Sequence, residues 1–321
     1  MGLSISAGLW PNEAAVLDAQ TYMELAGRLR PAFLELLRHE QMSASLAEPL
    51  GRVYLPLAAW VNAQRQGRPF VLGVNGAQGS GKSTLSAFLQ RILREAFGLK
   101  VAGFSIDDLY RTHEERERLA REVHPLLATR GVPGTHDVAL GLSLLDILTG
   151  DTSSRVSLPV FDKAHDDRAP EKEWPEIEAP VDVVIFEGWC VGARPQTEND
   201  LLKPLNELEQ RDDAEGTWRR HVNAQLAGPY AALFARIDRL VMLRVPSLSC
   251  VYEWRSLQED KLAAKAARAH QHRIMDSSGL KRFIMHYERL TRHMLEEMPD
   301  RADITLYLDE HHQFTSIHLN H

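Results

Sequence analysis

The segment Gly76-Ala77-Gln78-Gly79-Ser80-Gly81-Lys82-Ser83 satisfies the pattern Gly-x-x-x-x-Gly-Lys-Ser, and its residue types suit holding the phosphates of a nucleoside triphosphate. Gly76, Gly79 and Gly81 let the backbone curl so that amide N–H groups converge on phosphate oxygens, with Ala77, Gln78 and Ser80 completing the loop. Lys82 reaches toward the β- and γ-phosphates, and the Ser83 hydroxyl is expected to hold magnesium. Residues 76–84, Thr84 included, are therefore expected to bind ATP with Mg2+.

Phosphoryl transfer needs further groups. Glu187 follows the apolar run Val181-Asp182-Val183-Val184-Ile185-Phe186 and precedes Gly188, where a carboxylate can bind or orient magnesium and its waters. Asp107 and Asp108 end a second apolar run. A carboxylate there, close to the phosphate loop, can orient an attacking hydroxyl and accept its proton, and Asp107 is assigned that task. Asp108 is read as a helix N-cap. The loop region offers His136, Asp137, Asp162, Lys163 and Arg168 to grip an acceptor, with Lys163 and Arg168 suited to a carboxylate or phosphate. Arg255 opens a basic helical stretch continuing through Lys261, Lys265, Arg268 and Arg273, the composition of a lid that neutralises charge on the transferring group.

These residues must be positioned by alternating strands and helices. Phe70 to Asn75 reads as a buried strand running into the glycine-rich loop, and the helical periodicity of Ser83 to Phe97 follows at once. Further strands are predicted at Lys100 to Ser105, Val181 to Phe186, Arg239 to Val245 and Ile304 to Leu308. One helix is predicted near Val138 to Leu148, inside a Gly-, Pro-, Asp- and His-rich stretch from Thr129 to Trp174. The alternation predicts an α/β chain: a three-layer P-loop NTPase fold with a mostly parallel sheet. Residues 1–66 read as an N-terminal helical extension and 67–321 as the P-loop kinase domain.

The 321 residues, 44% hydrophobic and 25% charged, are those of a globular chain without a run long enough to cross a membrane. A net charge of −7 argues against a general nucleic-acid binder, which collects lysine and arginine to replace counterions. Cys190 and Cys250 form no Cys-x-x-Cys pair, which fits a reducing, cytoplasmic setting. Met1-Gly2-Leu3-Ser4-Ile5-Ser6 formally matches the myristoylation pattern and is read as an unstructured terminus.

Beyond the phosphate loop, the chain resembles the D-glycerate 3-kinases of the plant and fungal type and their bacterial relatives, within the phosphoribulokinase and uridine kinase group. The resemblance rests on Ser105-Ile106-Asp107-Asp108-Leu109-Tyr110, Arg130-Gly131 to His136-Asp137, Leu158-Pro159 to Arg168, Trp174-Pro175, Phe186-Glu187-Gly188-Trp189 and Ser249 to Arg255. It implies that ATP and magnesium phosphorylate D-glycerate at its 3-hydroxyl, with Asp107 as base and Tyr110 added to the acceptor-side residues. The plant pattern Pro-Arg-Tyr-Asp-Lys is here Pro159-Val160-Phe161-Asp162-Lys163, which lacks an arginine and a tyrosine hydroxyl beside the expected acceptor site. A nucleoside, pantothenate or a sugar phosphate as acceptor, and a non-catalytic ATP-binding regulator, are the alternatives. A pure binder has no use for Asp107.

Overall fold

The structure is a computed structural model that describes residues 9–11, 14–39, 43–256 and 277–320. The Met1 to Ser6 segment and the lid candidates Lys261, Lys265, Arg268 and Arg273 lie outside the described residues.

Helices α1 (Ala19–His39) and α2 (Tyr54–Gln64) precede β1 (Phe70–Gly76), α3 (Lys82–Phe97), β2 (Val101–Ser105), α4 (His113–Glu122) and α5 (Val138–Thr149). Four short strands, β3 (Ser154–Ser157), β4 (Phe161–Asp162), β5 (Asp167–Arg168) and β6 (Glu176–Ala179), lead into β7 (Val183–Gly188). Then come α6 (Glu207–Asp212), α7 (Thr217–Ala227), α8 (Pro229–Phe234), β8 (Arg239–Arg244), α9 (residues 248–256), α10 (Ser277–Glu297), β9 (Ile304–Leu308) and β10 (Phe314–Leu319). The main sheet runs β10-β9-β8-β1-β7-β2 and is parallel except for the β9–β10 pair.

Successive side chains of a strand point to opposite faces, so the buried strands feed two cores. Phe70, Leu72 and Val74 of β1 join one cluster with Leu85, Phe88, Leu89, Ile92 and Leu93 of α3, while Val71 joins another with α5, α8 and α10. The apolar positions of α3 recur at three- and four-residue steps, which makes one face of a helix, and Gly98 in a left-handed conformation ends it. Three layers result, with helices packed on both faces of the sheet. The N-terminal helices share the first core: Phe33 of α1 meets Phe88 of α3 at 4.5 Å between ring centroids, and Tyr54 of α2 meets Phe88 at 5.1 Å.

Four strands differ from expectation in extent, three of them by one residue: β1 runs on to Gly76, β2 begins at Val101 and β8 ends at Arg244. The strand predicted from Val181 begins instead at Val183, because the Val181 N–H is taken by the Leu148 carbonyl at 2.9 Å. It runs on to Gly188, so Glu187 lies within the ladder. The antiparallel β10 and the β3–β6 and β4–β5 pairs have no counterpart in the sequence reading. They are short or half-exposed, and two-residue strands carry no periodicity.

Candidate active site

Parallel pairing aligns the carboxyl ends of β1, β7 and β2. Glu187 stands opposite Val74 of β1 on one side and Ser105 of β2 on the other, so the loop after β1 and the acids of β7 and β2 converge. Gly81, at φ 90°, caps α3 and turns the chain so that Lys82 and Ser83 open the helix. The Ser83 hydroxyl donates to Glu187 Oε1 at 2.7 Å. Glu187 is 6% exposed and its other oxygen, Oε2, is buried with no hydrogen-bond partner. A partnerless buried carboxylate oxygen beside a helix-start hydroxyl is a hard-oxygen donor set that suits magnesium. Among the described residues no group of three His, Cys, Asp or Glu could hold a metal. Magnesium is usually held by one or two protein oxygens together with substrate phosphates.

Asp107 lies in a 3-10 turn over residues 106–109. Ser105 caps this turn, and Asp108, expected to be the cap, is instead the third helical residue, accepting the Ser105 N–H at 3.0 Å. That leaves Asp107 facing the cleft. Its Oδ1 accepts the Tyr110 hydroxyl at 2.9 Å and its Oδ2 accepts the Lys163 ammonium at 2.8 Å. Burial alone would push the Asp107 carboxyl up, but Lys163 and Lys82 outweigh it and hold it well below the usual carboxylate range. Asp108 goes the other way. Burial, with Asp107 beside it, pushes its carboxyl up to about 6 against the hydrogen bond from Ser105.

Lys163 reaches Asp107 from the β4–β5 hairpin, in which Phe161 pairs with Arg168 and Asp162 with Asp167. Asp162 folds the hairpin tip by accepting from the Ala164 and His165 N–H groups at 2.8 and 3.2 Å and from the His165 ring at 2.6 Å. Arg116 and Arg130 hold Asp166 on the far side of the tip. The Phe161 ring, where the plant pattern has a tyrosine, is buried beneath the guanidiniums of Arg116 and Arg130 at 5.9 and 5.4 Å.

Lys82, Ser83, Ser105, Asp107, Asp108, Tyr110, Lys163, Glu187 and Arg255 line a cleft of about 330 Å³. His136, Asp137, Asp162 and Arg168, expected to touch the acceptor, do not line it. Most of their polar groups are committed to the protein itself, while His136 Nε2 and Arg168 Nε are buried with no hydrogen-bond partner. Arg168 donates to the Tyr110 carbonyl at 3.0 Å and to Asp137 at 3.4 Å, and Asp137 caps α5 through the Leu140 N–H. His136 is buried beneath the Tyr110 ring, 4.5 Å away, with Nδ1 against the Tyr230 hydroxyl at 2.5 Å. Burial lowers its pKa to about 3, so the ring is neutral.

The cleft also takes in Gln78, Gly79, Arg130, Trp189, Phe283 and Tyr287. Of these, Arg130, Trp189, Phe283 and Tyr287 were not among the expected site residues. Gly131, at φ 138°, permits that corner, because a Cβ there would collide with the Tyr287 hydroxyl. Tyr287 donates to the Arg130 carbonyl at 3.2 Å and the Trp189 indole donates to the Gly131 carbonyl at 3.0 Å. The adjacency of Arg130 to a glycine was the signal available in the sequence; the aromatic partners lie far away in the chain.

A second cavity, of about 590 Å³, opens on the other side of the phosphate loop. Residues 79–85 form its floor, Ser43, Ser45, Leu46 and Tyr54 one wall, and Leu308, His311, His312, Gln313 and Phe314 the other. Gly79, Lys82 and Ser83 line both spaces. The N-terminal extension thus contributes directly to the cavity beside the phosphate loop.

No family model matches the chain. An uncharacterized kinase, mug58, of Schizosaccharomyces pombe is 36% identical over 231 residues, which is 69% of this chain and 79% of that protein. The chloroplastic D-glycerate 3-kinase of Arabidopsis thaliana is 34% identical over 197 residues, 58% of this chain, although the match spans only 40% of the plant protein. The solved D-glycerate 3-kinase of Cryptococcus neoformans superposes with a TM-score of 0.68 at 26% identity, covering 83% of this chain and 99% of that one. With the phosphate loop, the strand-borne Glu187 and the Asp107 turn in one cleft, and relatives of this extent, the chain belongs to the P-loop kinase family that contains the D-glycerate 3-kinases.

Proposed function

We propose that this kinase transfers the γ-phosphoryl group of ATP to the primary hydroxyl of D-glycerate, giving 3-phosphoglycerate. The observation that carries the reading is the Asp107 carboxylate in a small cleft whose other charged lining groups include Lys163, Arg130 and Arg255. Three cations suit an anionic acceptor, and 330 Å³ suits a small one. The larger cavity would receive the nucleotide base and ribose among Leu46, Tyr54, His311, His312 and Phe314. Its phosphates would run over residues 79–83 into the cleft.

In this reading Lys82 and the loop N–H groups stabilise phosphate charge, and Ser83 and Glu187 hold the metal. Bound magnesium would neutralise charge on the β- and γ-oxygens. An acceptor carboxylate competes with Asp107 for Lys163; as the ammonium shifts to the substrate, Asp107 Oδ2 is freed to take the hydrogen bond of the attacking hydroxyl. Tyr110 keeps Oδ1 oriented. A carboxylate held at low pKa is a weak base, which suffices in a loose transition state where the nucleophile loses its proton late. Arg255 supports the transferring group. The test is ADP release by the purified protein with magnesium, ATP and, in turn, D-glycerate, L-glycerate, uridine, pantothenate and ribulose 5-phosphate. D-glycerate is expected to dominate, and Lys163→Ala to raise its KM at least tenfold. Acceptor-independent ATP loss, or preference for an uncharged acceptor, sinks the assignment.

A further inference from the structure

Trp254 and Arg255 are consecutive residues of α9 that serve opposite sides of the phosphate loop. Arg255 lines the acceptor cleft, with its guanidinium 5.6 Å from the Phe283 ring centroid. Trp254 is buried and turned toward the β9–β10 turn, the wall of the nucleotide cavity. Its indole N–H donates to the Glu310 carbonyl at 3.0 Å, and its ring stacks on His312 at 3.8 Å between centroids and 27° between planes.

His312 then touches the phosphate loop. Its Nε2 lies 2.9 Å from the Gly79 carbonyl, and since a carbonyl only accepts, Nε2 carries the proton. Gly79, at φ 80°, has no room for a side chain, because a Cβ would sit 2.9 Å from the Trp254 Cβ. His312 itself adopts φ 61°, a left-handed conformation that costs a non-glycine residue energy and is tolerated where surrounding contacts demand it. The base-side turn, the phosphate loop and α9 thus meet at one stacked pair.

We propose that Trp254 and His312 are positioning residues that couple the two substrate sites: a nucleotide seated against the His311–Phe314 wall fixes the His312–Trp254 stack and through it the placement of Arg255 over the acceptor. The inference rests on the kinase reading above. Coupling of this kind is reciprocal, so each substrate tightens the other by the same factor.

Calorimetry on the full chain measures it, titrating D-glycerate with and without a non-hydrolysable ATP analogue and magnesium. The wild type is expected to bind D-glycerate about tenfold more tightly when the analogue is present. At an analogue concentration that saturates the variant in its own titration, His312→Asn, which tolerates the backbone conformation but loses the stack, should bring that factor to within twofold of one. His312→Phe keeps a ring but no donor to Gly79 and should give an intermediate factor. In steady state the kcat losses of His312→Asn and Arg255→Ala should be non-additive, which a general loss of stability would not produce. Wild-type coupling retained in both His312 variants, or additive losses, overturns the proposal. A wild type that phosphorylates D-glycerate without coupling sinks this inference alone, whereas one that phosphorylates no acceptor sinks the kinase reading.

Discussion

Replacing Asp107 with asparagine separates the chemistry of the cleft from its architecture. Asparagine keeps an oxygen that can accept the Tyr110 hydroxyl, now 2.9 Å away, so the turn over residues 106–109 should survive. It cannot serve Lys163, whose ammonium at 2.8 Å would face either an amide NH2 or a neutral oxygen. Nor can it accept a proton. A positioned base contributes about 10² to 10⁴ in rate, about 3 to 5 kcal/mol of transition-state stabilisation. Removing one negative charge near the phosphates should leave ATP affinity equal or slightly higher, since Lys82 loses a competitor. The assay is kcat/KM by coupled ADP release beside calorimetric ATP binding. A kcat/KM loss of at least 10² with ATP affinity within threefold of wild type is expected. Turnover within fivefold of wild type refutes the assignment of Asp107 as the group that activates the hydroxyl, and a large loss of ATP affinity refutes the separation of the two roles.

Three further outcomes are expected. Glu187→Gln should raise the magnesium concentration needed for half-maximal activity by about 10- to 100-fold, read from a metal titration at saturating ATP, because the buried oxygen pair loses its charge. The raised pKa of Asp108, about 6 against an ordinary 3.8, means that its favourable contribution to folding is complete below about pH 4 and lost as pH rises through 6. Asp108→Asn, still able to accept the Ser105 N–H, should therefore be more stable than wild type at pH 7.5 by about 1 to 2 kcal/mol and flatten the denaturation profile between pH 4 and 7. Phe33→Ala should cost about 3 to 5 kcal/mol in chemical denaturation by opening a cavity against Phe88 and Tyr54, with kcat unchanged in the fraction that folds.

The sequence determined what local rules govern. The phosphate loop needs a strand before it, a helix after it and glycines between, all contiguous, so residues 70–97 could be read with little error. The positions of Glu187 and Asp107 beside the phosphate loop could be read for the same reason, since each ends an apolar run. Even so, whether Asp108 caps its turn or Asp107 faces the cleft depended on the backbone angles after Ser105. Tertiary structure alone decided which loop residues face the cleft. His136, Asp137 and Arg168 have the chemistry of a binding site, yet they bond Tyr230, the α5 N-terminus and the Tyr110 carbonyl, and none of the three lines the cleft. Lys163, with no better credentials in the chain, reaches Asp107 because β4 pairs with β5. The His312–Trp254 stack joins residues 58 positions apart and carries no spacing signal. Contacts within a turn or two are written in neighbouring side chains. Those between distant segments are set by how the sheet orders its strands, and that information is spread over the whole core.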